Sequence, residues 1–407
     1  MASAQQPAAP LAGVIVVALE QAVSAPMCTR ALADFGARVI KVENPAGGDF
    51  ARHYDDVVNG PGGLAAHFVW ANRNKESVAL DLKAPEGIDI LHRLLDRADV
   101  LVSNLAPGST ARLGISPDQL RDRHPGVIAV EIDGYGAGGP LSHKRAYDLL
   151  AQSESGSCAV TGYPGKPAKP GPPIADISTG LYSALSIMAL LYSRDDRGQR
   201  TRRGAAVTVS LFDTMMDLMG YPLTYTQHSG VDQQPLGMSS PAVAPYGAYR
   251  TADGQTVVLG TTNDREWQRL AREIIDRPDL ADDPRFATNS DRVANRAVLD
   301  EAIESWCGRH DLVEVQKVAD AAGIGNARYN LPSEVLEHPQ LSTRDRWRTV
   351  QTAAGPIRAI LPPPIIEGYE QPMGPVPGLG EHTDAVLAEL GLSGNEIGRL
   401  RERGVVA

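Results

Sequence analysis

With 407 residues, the chain is long enough to bury a large core and form two domains, while a formal net charge of −10 argues against a general nucleic-acid binder. Three cysteines, Cys28, Cys158 and Cys307, lack metal-ligand or CxxC spacing, and the apolar run Leu11–Leu19 is too short to cross a bilayer. The expectation is a cytoplasmic protein with no metal and no membrane or nucleic-acid partner, in which a local basic pocket for a phosphorylated ligand stays open.

In chain order, Gly13–Leu19 reads as a buried strand, Ala25–Phe35 as a helix closed by Gly36, and Arg38–Val42 as a second strand. Ser77–Leu82, Val100–Ser103 and Val127–Ile132 are strand-like, with helical stretches at Pro85–Arg97 and Pro117–Arg123 between them. Strands alternating with helices predict a parallel sheet covered on both faces, with ligands at the carboxyl ends of the strands. Gly134-Tyr-Gly-Ala-Gly-Gly139 is not a dinucleotide fingerprint, because it neither forms an early strand–helix turn nor opens an amphipathic helix. Three cationic clusters flank the strand ends: Lys41 with Arg52, Asn72-Arg-Asn-Lys75, and Arg112 after Asn104. Singly each reads as solvated surface charge; gathered at one sheet edge they could hold phosphates.

Gly171-Pro-Pro-Ile-Ala-Asp-Ile-Ser-Thr-Gly180 follows, and Ile177–Ser193 reads as a largely buried helix. Asp176 stands at the junction. It is either an N-cap, a position that favours aspartate, or a carboxylate kept ionised at a helix mouth and used as a nucleophile.

The second half changes character. Val207–Leu211 reads as a strand and Phe212–Gln227 as one helix; Gly247–Arg250 and Thr256–Gly260 flank a hairpin turn at Ala252-Asp-Gly254. Asn263–Ile275, Arg292–Cys307 and Leu312–Ala321 read as helices, Leu331–Pro364 as a return segment, and Glu381–Leu390 and Gly394–Arg403 as closing helices. The expected division is a large α/β domain over 1–228, a small α+β domain over 229–325, and a segment over 326–407 that completes the first.

Residues spread along nearly the whole chain carry a resemblance. Leu32-Ala-Asp-Phe-Gly-Ala-Arg-Val-Ile-Lys-Val-Glu43, Gly48-Asp49, Asn72-Arg-Asn-Lys-Glu-Ser77, Leu80-Asp-Leu-Lys83, Asn104, Pro107-Gly108, Gly134-Tyr135-Gly136, Pro245-Tyr-Gly247 and Gly380-Glu-His-Thr-Asp384 resemble the class III coenzyme A transferases of the CaiB/BaiF type. The resemblance implies a doubly wound, Rossmann-like large domain, a small domain, and a homodimer of two interlocked ring-like chains. It places the essential aspartate on Asp176, which would pass CoA between acids through an aspartyl anhydride and an aspartyl-CoA thioester. It implies CoA and acyl-CoA as substrates with no permanently bound cofactor. It also implies CoA contacts at Lys41, Asn44, Lys75, Asn104, Arg112 and Tyr135, and an oxyanion loop at Gly237 and Met238. Leu19-Glu-Gln-Ala-Val23, Phe68-Val-Trp-Ala-Asn72, Lys144-Arg-Ala-Tyr-Asp-Leu-Leu150 and Gly220-Tyr-Pro222 look like the branch that uses succinyl-CoA with itaconate, mesaconate or citramalate. For a second carboxylate the candidates are Arg52, Arg145 and Tyr147.

The sequence departs from the family in places. Asn44 stands where some relatives carry arginine, Val23 where some carry a glutamine, with Gln21 nearby, and Leu236–Pro241 lacks consecutive glycines. Thr201-Arg-Arg-Gly-Ala205 replaces a usual Thr-Gly-Arg-Gly-Gln. Two other readings stay open: an α-methylacyl-CoA racemase type, against which Tyr147 in place of the family's histidine before Asp148 tells, and an acyl-CoA binder without turnover.

Overall fold

The computed structural model describes residues 9–60, 62–196, 199–200 and 203–407. Six strands form its main sheet: β1 (Ile15–Leu19), β2 (Arg38–Glu43), β3 (Lys75–Ala79), β4 (Val100–Ser103), β5 (Ile128–Asp133) and β6 (Ala205–Ser210). Their spatial order is β6-β5-β4-β1-β2-β3, and every neighbouring pair is parallel. This is the doubly wound arrangement expected. Strands covered on both faces need apolar side chains on both, and Val16, Val17, Val78, Val100 and Ile128 are fully buried.

Four helices matter most for the site: α1 (Ser24–Asp34), α2 (Pro85–Leu95), α3 (Asp148–Glu154) and α4 (Ile174–Ser193). The α2 stripe Ile90, Leu91, Leu94 and Leu95 joins Val17, Ile40 and Leu101 of the sheet, and Val386, Leu387 and Ile397 of the closing helices, in one core. The C-terminal residues thus complete the sheet-bearing unit. Helix α4 is long and apolar enough to cross a membrane by length and composition. It packs instead on α1 at Gly180, where an added Cβ would stand 2.4 Å from the Ser24 carbonyl oxygen.

The chain divides into two compact units. One runs to Ser155 and resumes over Pro170–Gly220 and Thr343–Ala407; the other takes Gly156–Lys169 and Tyr221–Ser342. In the second, β7 (Tyr246–Arg250), β8 (Thr256–Gly260) and β9 (Gly325–Arg328) make an antiparallel sheet around Tyr249, Val257, Trp267, Phe286 and Leu299. The segment Gly156–Lys169 belongs there because its short ribbon is tied in by a hydrogen bond from the Gly237 N–H to the Gly162 carbonyl, 2.6 Å.

Two expected helices are each broken in two. Phe212–Gln227 divides into Leu211–Leu218 and Gly220–Ser229 beside a glycine, which disfavours helix interiors, and Arg292–Cys307 divides at Asn295. In the altered turn, Thr201 and Arg202 lie outside the described residues. Gly204 donates to the Pro125 carbonyl at 2.7 Å, and a Cβ there would meet the Val127 carbonyl at 2.3 Å, so only glycine fits.

Candidate active site

Pro172 and Pro173 deliver an extended chain to α4, which begins at Ile174 with Pro173 as its cap residue. Asp176 is therefore the third helical residue rather than the N-cap. The cap comes from α3. Asp148 Oδ1 accepts from the N–H groups of Ala175, 3.0 Å, and Asp176, 3.4 Å, while the buried Gln152 donates to Asp148 Oδ2 at 2.7 Å. The expected ionising effect of the helix mouth is thus spent on Asp148. Among the described residues, the Asp176 carboxyl has no cation and no hydrogen-bond donor. Burial first, and the charge of Asp148 second, push it up to about 7.

Asp176 faces a cavity of about 450 Å³ at the carboxyl ends of β1, β4 and β5, bounded by Gln21–Ser24, Asn104–Ser109, Asp133–Gly134 and Lys144–Tyr147. Connections leave β1 and β4 in opposite directions along the sheet, so their loops diverge and leave the crevice that a doubly wound sheet offers a ligand. A second cavity of about 290 Å³ shares Gln21, Leu105 and Ser109 with the first and carries Asn44, Lys83 and Arg112 on its walls.

The residues singled out in the sequence separate into two groups. Asn44, Arg112, Arg145 and Tyr147 are exposed on cavity walls. Among the described residues, Arg112 is held only by Ser109 Oγ, 2.7 Å, and Asn44 accepts from the Ala46 N–H, 2.8 Å.

Lys41 and Lys75 are corrections. They project from β2 and β3 on one face of the sheet, and both side chains are wholly buried. Lys41 Nζ meets Asp49 Oδ2 at 2.8 Å and Glu20 Oε1 at 3.3 Å; Lys75 Nζ meets Glu20 Oε1 at 2.6 Å and the Pro26 carbonyl at 3.0 Å. Neither ammonium is free for a phosphate. Burial, with the charge of Lys41 working against that of Glu20, brings Lys75 down to about 8. Arg73 is likewise locked on Asp34 at 2.7 Å.

Arg52 is corrected on the same ground. It grips both oxygens of Glu43 at 2.8 Å, donates to the Pro377 carbonyl and lies 3.7 Å over the Phe68 ring. Asn104 faces the cavity but spends its amide on the Gln21 backbone, accepting from N at 2.9 Å and donating to O at 2.8 Å. Tyr135 has a buried hydroxyl with no partner among the described residues and a ring 5.5 Å from Lys144 Nζ. Gly237 gives its N–H to Gly162 within the second unit, so that donor is not available to an oxyanion here; Met238 lies in the same unit, against a separate cavity with Tyr163 and Leu236.

Asp148, read from the sequence as structural, is indeed a helix cap; the sequence reading missed its partner Gln152, the buried acids Glu20 and Asp49, and Lys83 and Phe50 on the cavity walls. Glu20 carried a signal: it is an acid placed directly after the apolar strand β1.

Comparison with known proteins gives the family. The profile described as "CoA-transferase family III" matches residues 11–383. A succinate–glutarate CoA-transferase of Agrobacterium fabrum is 33% identical over 94% of this chain and 96% of its own. A succinyl-CoA–D-citramalate CoA-transferase of Chloroflexus aurantiacus is 30% identical over 99% of this chain and 100% of its own. The crystal structure of a CaiB/BaiF family protein from Brucella suis, 31% identical, superposes with a TM-score of 0.81 over 94% of this chain and 99% of that one. A profile match along most of the chain, relatives aligned end to end and a shared fold establish that the chain belongs to CoA-transferase family III, as an enzyme that transfers coenzyme A.

Proposed function

We propose that Asp176 is the covalent nucleophile that moves CoA from succinyl-CoA to a small dicarboxylic acid of the itaconate, mesaconate or citramalate type. The observation that carries this reading is a carboxyl on the wall of the crevice with no cation or donor attached and an acidity set near neutral, where it can both attack and leave. Asp176 attacks the thioester carbonyl and CoA leaves as thiolate, giving a mixed anhydride. The thiolate then attacks the aspartyl carbonyl and expels the donor acid as its carboxylate. The acceptor carboxylate attacks the resulting aspartyl-CoA thioester, and the released thiolate attacks the acceptor side of the new anhydride. That last step frees the new acyl-CoA and restores Asp176, so no thioester energy is lost to water.

The cavity beside Arg112, Lys83 and Asn44 suits the phosphorylated end of CoA, and the larger one suits the thioester and acid. Arg145 is the cation we assign to a second carboxylate. The racemase reading is less well supported, because both Asp148 oxygens are occupied by α4 and Gln152 and neither is placed to carry a substrate proton. Exposed apolar side chains one turn apart on α4, Leu181 at 50% and Leu185 at 58%, support pairing with a second copy, which we take to be interlocked. Cysteines without CxxC or metal-ligand spacing fit the reducing cytoplasm.

The test is transfer from succinyl-CoA to a panel of mono- and dicarboxylic acids. Formation of new acyl-CoA by the wild type, abolished in Asp176→Ala, is the expected result. Binding of CoA without transfer would leave a binder, and deuterium exchange alpha to a thioester without transfer would favour the racemase type.

A further inference from the structure

The wall between the two cavities is held by a buried charge cluster that the proposed reaction does not use. Asp49 is 1% exposed, and its two oxygens have separate duties. Oδ2 receives Lys41 Nζ at 2.8 Å. Oδ1 accepts two backbone N–H groups, Ala22 at 3.0 Å and Ala51 at 2.9 Å. Ala22 has φ +60°, a left-handed conformation that a residue with a Cβ adopts only under outside constraint. Next to it, the Gln21 backbone is pinned on both its N–H and its carbonyl by Asn104, and the Glu20 carbonyl accepts from Lys41 at 3.2 Å. The Ala51 bond caps the short turn Phe50–His53, which brings Phe50 to the wall of the catalytic cavity. One oxygen atom therefore joins the two wall segments, Gln21–Ser24 and Phe50, and Gln21 borders both cavities.

We propose that Asp49 is a positioning residue for CoA transfer, whose carboxylate, held by Lys41, fixes the Ala22 backbone and so sets the edge that separates the two parts of the CoA-binding crevice. The proposal rests on the assignment of those cavities to CoA. It differs from a general contribution to stability in what it makes sensitive: the fit of the ligand, rather than the fraction of chain that is folded.

Removing Asp49 alone leaves Lys41 to share Glu20 with Lys75 and could unfold the chain, so the decisive comparison uses two double variants with the same buried charge. Lys41→Met with Asp49→Asn keeps an oxygen for the Ala22 and Ala51 N–H groups, whereas Lys41→Met with Asp49→Ala removes it. Calorimetric titration with coenzyme A itself, alongside thermal melts, reads the difference. We expect the asparagine form to bind CoA close to the wild type and the alanine form about tenfold more weakly or worse, in line with the loss of backbone acceptors, with the melts showing both forms folded at the titration temperature. In the transfer assay the alanine form should show raised KM for acyl-CoA before any loss of kcat. Equal CoA affinity in the two double variants would overturn the proposal. Failure of the wild type to bind CoA at all would instead remove the site assignment on which it rests.

Discussion

Two groups of carboxylates border the same crevice in opposite electrostatic states. At the ends of β1 and β2, Glu20 and Glu43 are buried, which alone would raise their pKa values, yet Lys75 and Lys41 hold Glu20 below its ordinary value and Arg52 brings Glu43 to about 2. At the mouth of α4, Asp176 is half-buried with another carboxylate beside it and no cation, and it rises to about 7. The difference lies in the partners each group receives, not in burial. Acids that hold the scaffold together are neutralised by fixed cations; the acid proposed to form and break bonds has none among the described residues.

The comparison breaks most completely at Asp176. Asp176→Ala should lower transfer about 10⁴-fold or more, measured as product acyl-CoA, while CoA still binds. Among the scaffold acids, Glu20→Gln should destabilise the chain by about 3 to 5 kcal/mol in denaturant unfolding, because it leaves Lys41 and Lys75 crowded around a lost charge. A loss under about 1 kcal/mol would mean that the cluster is not a structural support.

Charge state offers a finer test. A nucleophile must be ionised, so the log of kcat/KM should rise with pH and level off above about 7. Asp148→Asn keeps an acceptor for α4 but removes the neighbouring charge, and should move that inflection about one unit lower. The same shift acts on stability with a definite sign. Asp176 is raised when folded, so ionising it costs stability; Asp176→Asn should stabilise the fold, with a gain that grows from about pH 4 to about pH 7 and is flat above. Glu43 runs the other way. Its lowered pKa supports the fold at neutral pH, and that support is lost as pH falls from about 4.5 towards about 2. The smallest expected effect is at the periphery: Arg112→Ala should raise KM for acyl-CoA about tenfold with kcat unchanged.

Much of this was legible in the sequence. The alternation of apolar strands and helices gave the doubly wound sheet, and an order that places β1 beside β4 put the crevice where the glycine- and asparagine-bearing loops were found. Prolines marked the helix start beside Asp176, but by themselves they left it as readily a cap; only the family resemblance singled it out as a candidate nucleophile. What could not be read was which charges face outward. Lys41, Lys75 and Arg52 have the composition of a phosphate site, but their direction is set by strand register and by Glu20, Asp49 and Glu43, partners scattered along the chain. Asp148 likewise reaches α4 from 27 residues away, so the cap that frees Asp176 is invisible to local pattern. The break at Met219–Gly220 could have been anticipated from the glycine alone.

The most direct test of the account is to incubate the enzyme with succinyl-CoA and no acceptor, quench it rapidly, and locate any covalent adduct by mass spectrometry of its peptides. The prediction is coenzyme A attached through a thioester to Asp176, absent in Asp176→Asn and discharged when an acceptor acid is added. Transfer that proceeds with no adduct at Asp176, or with the adduct on another residue, would contradict it.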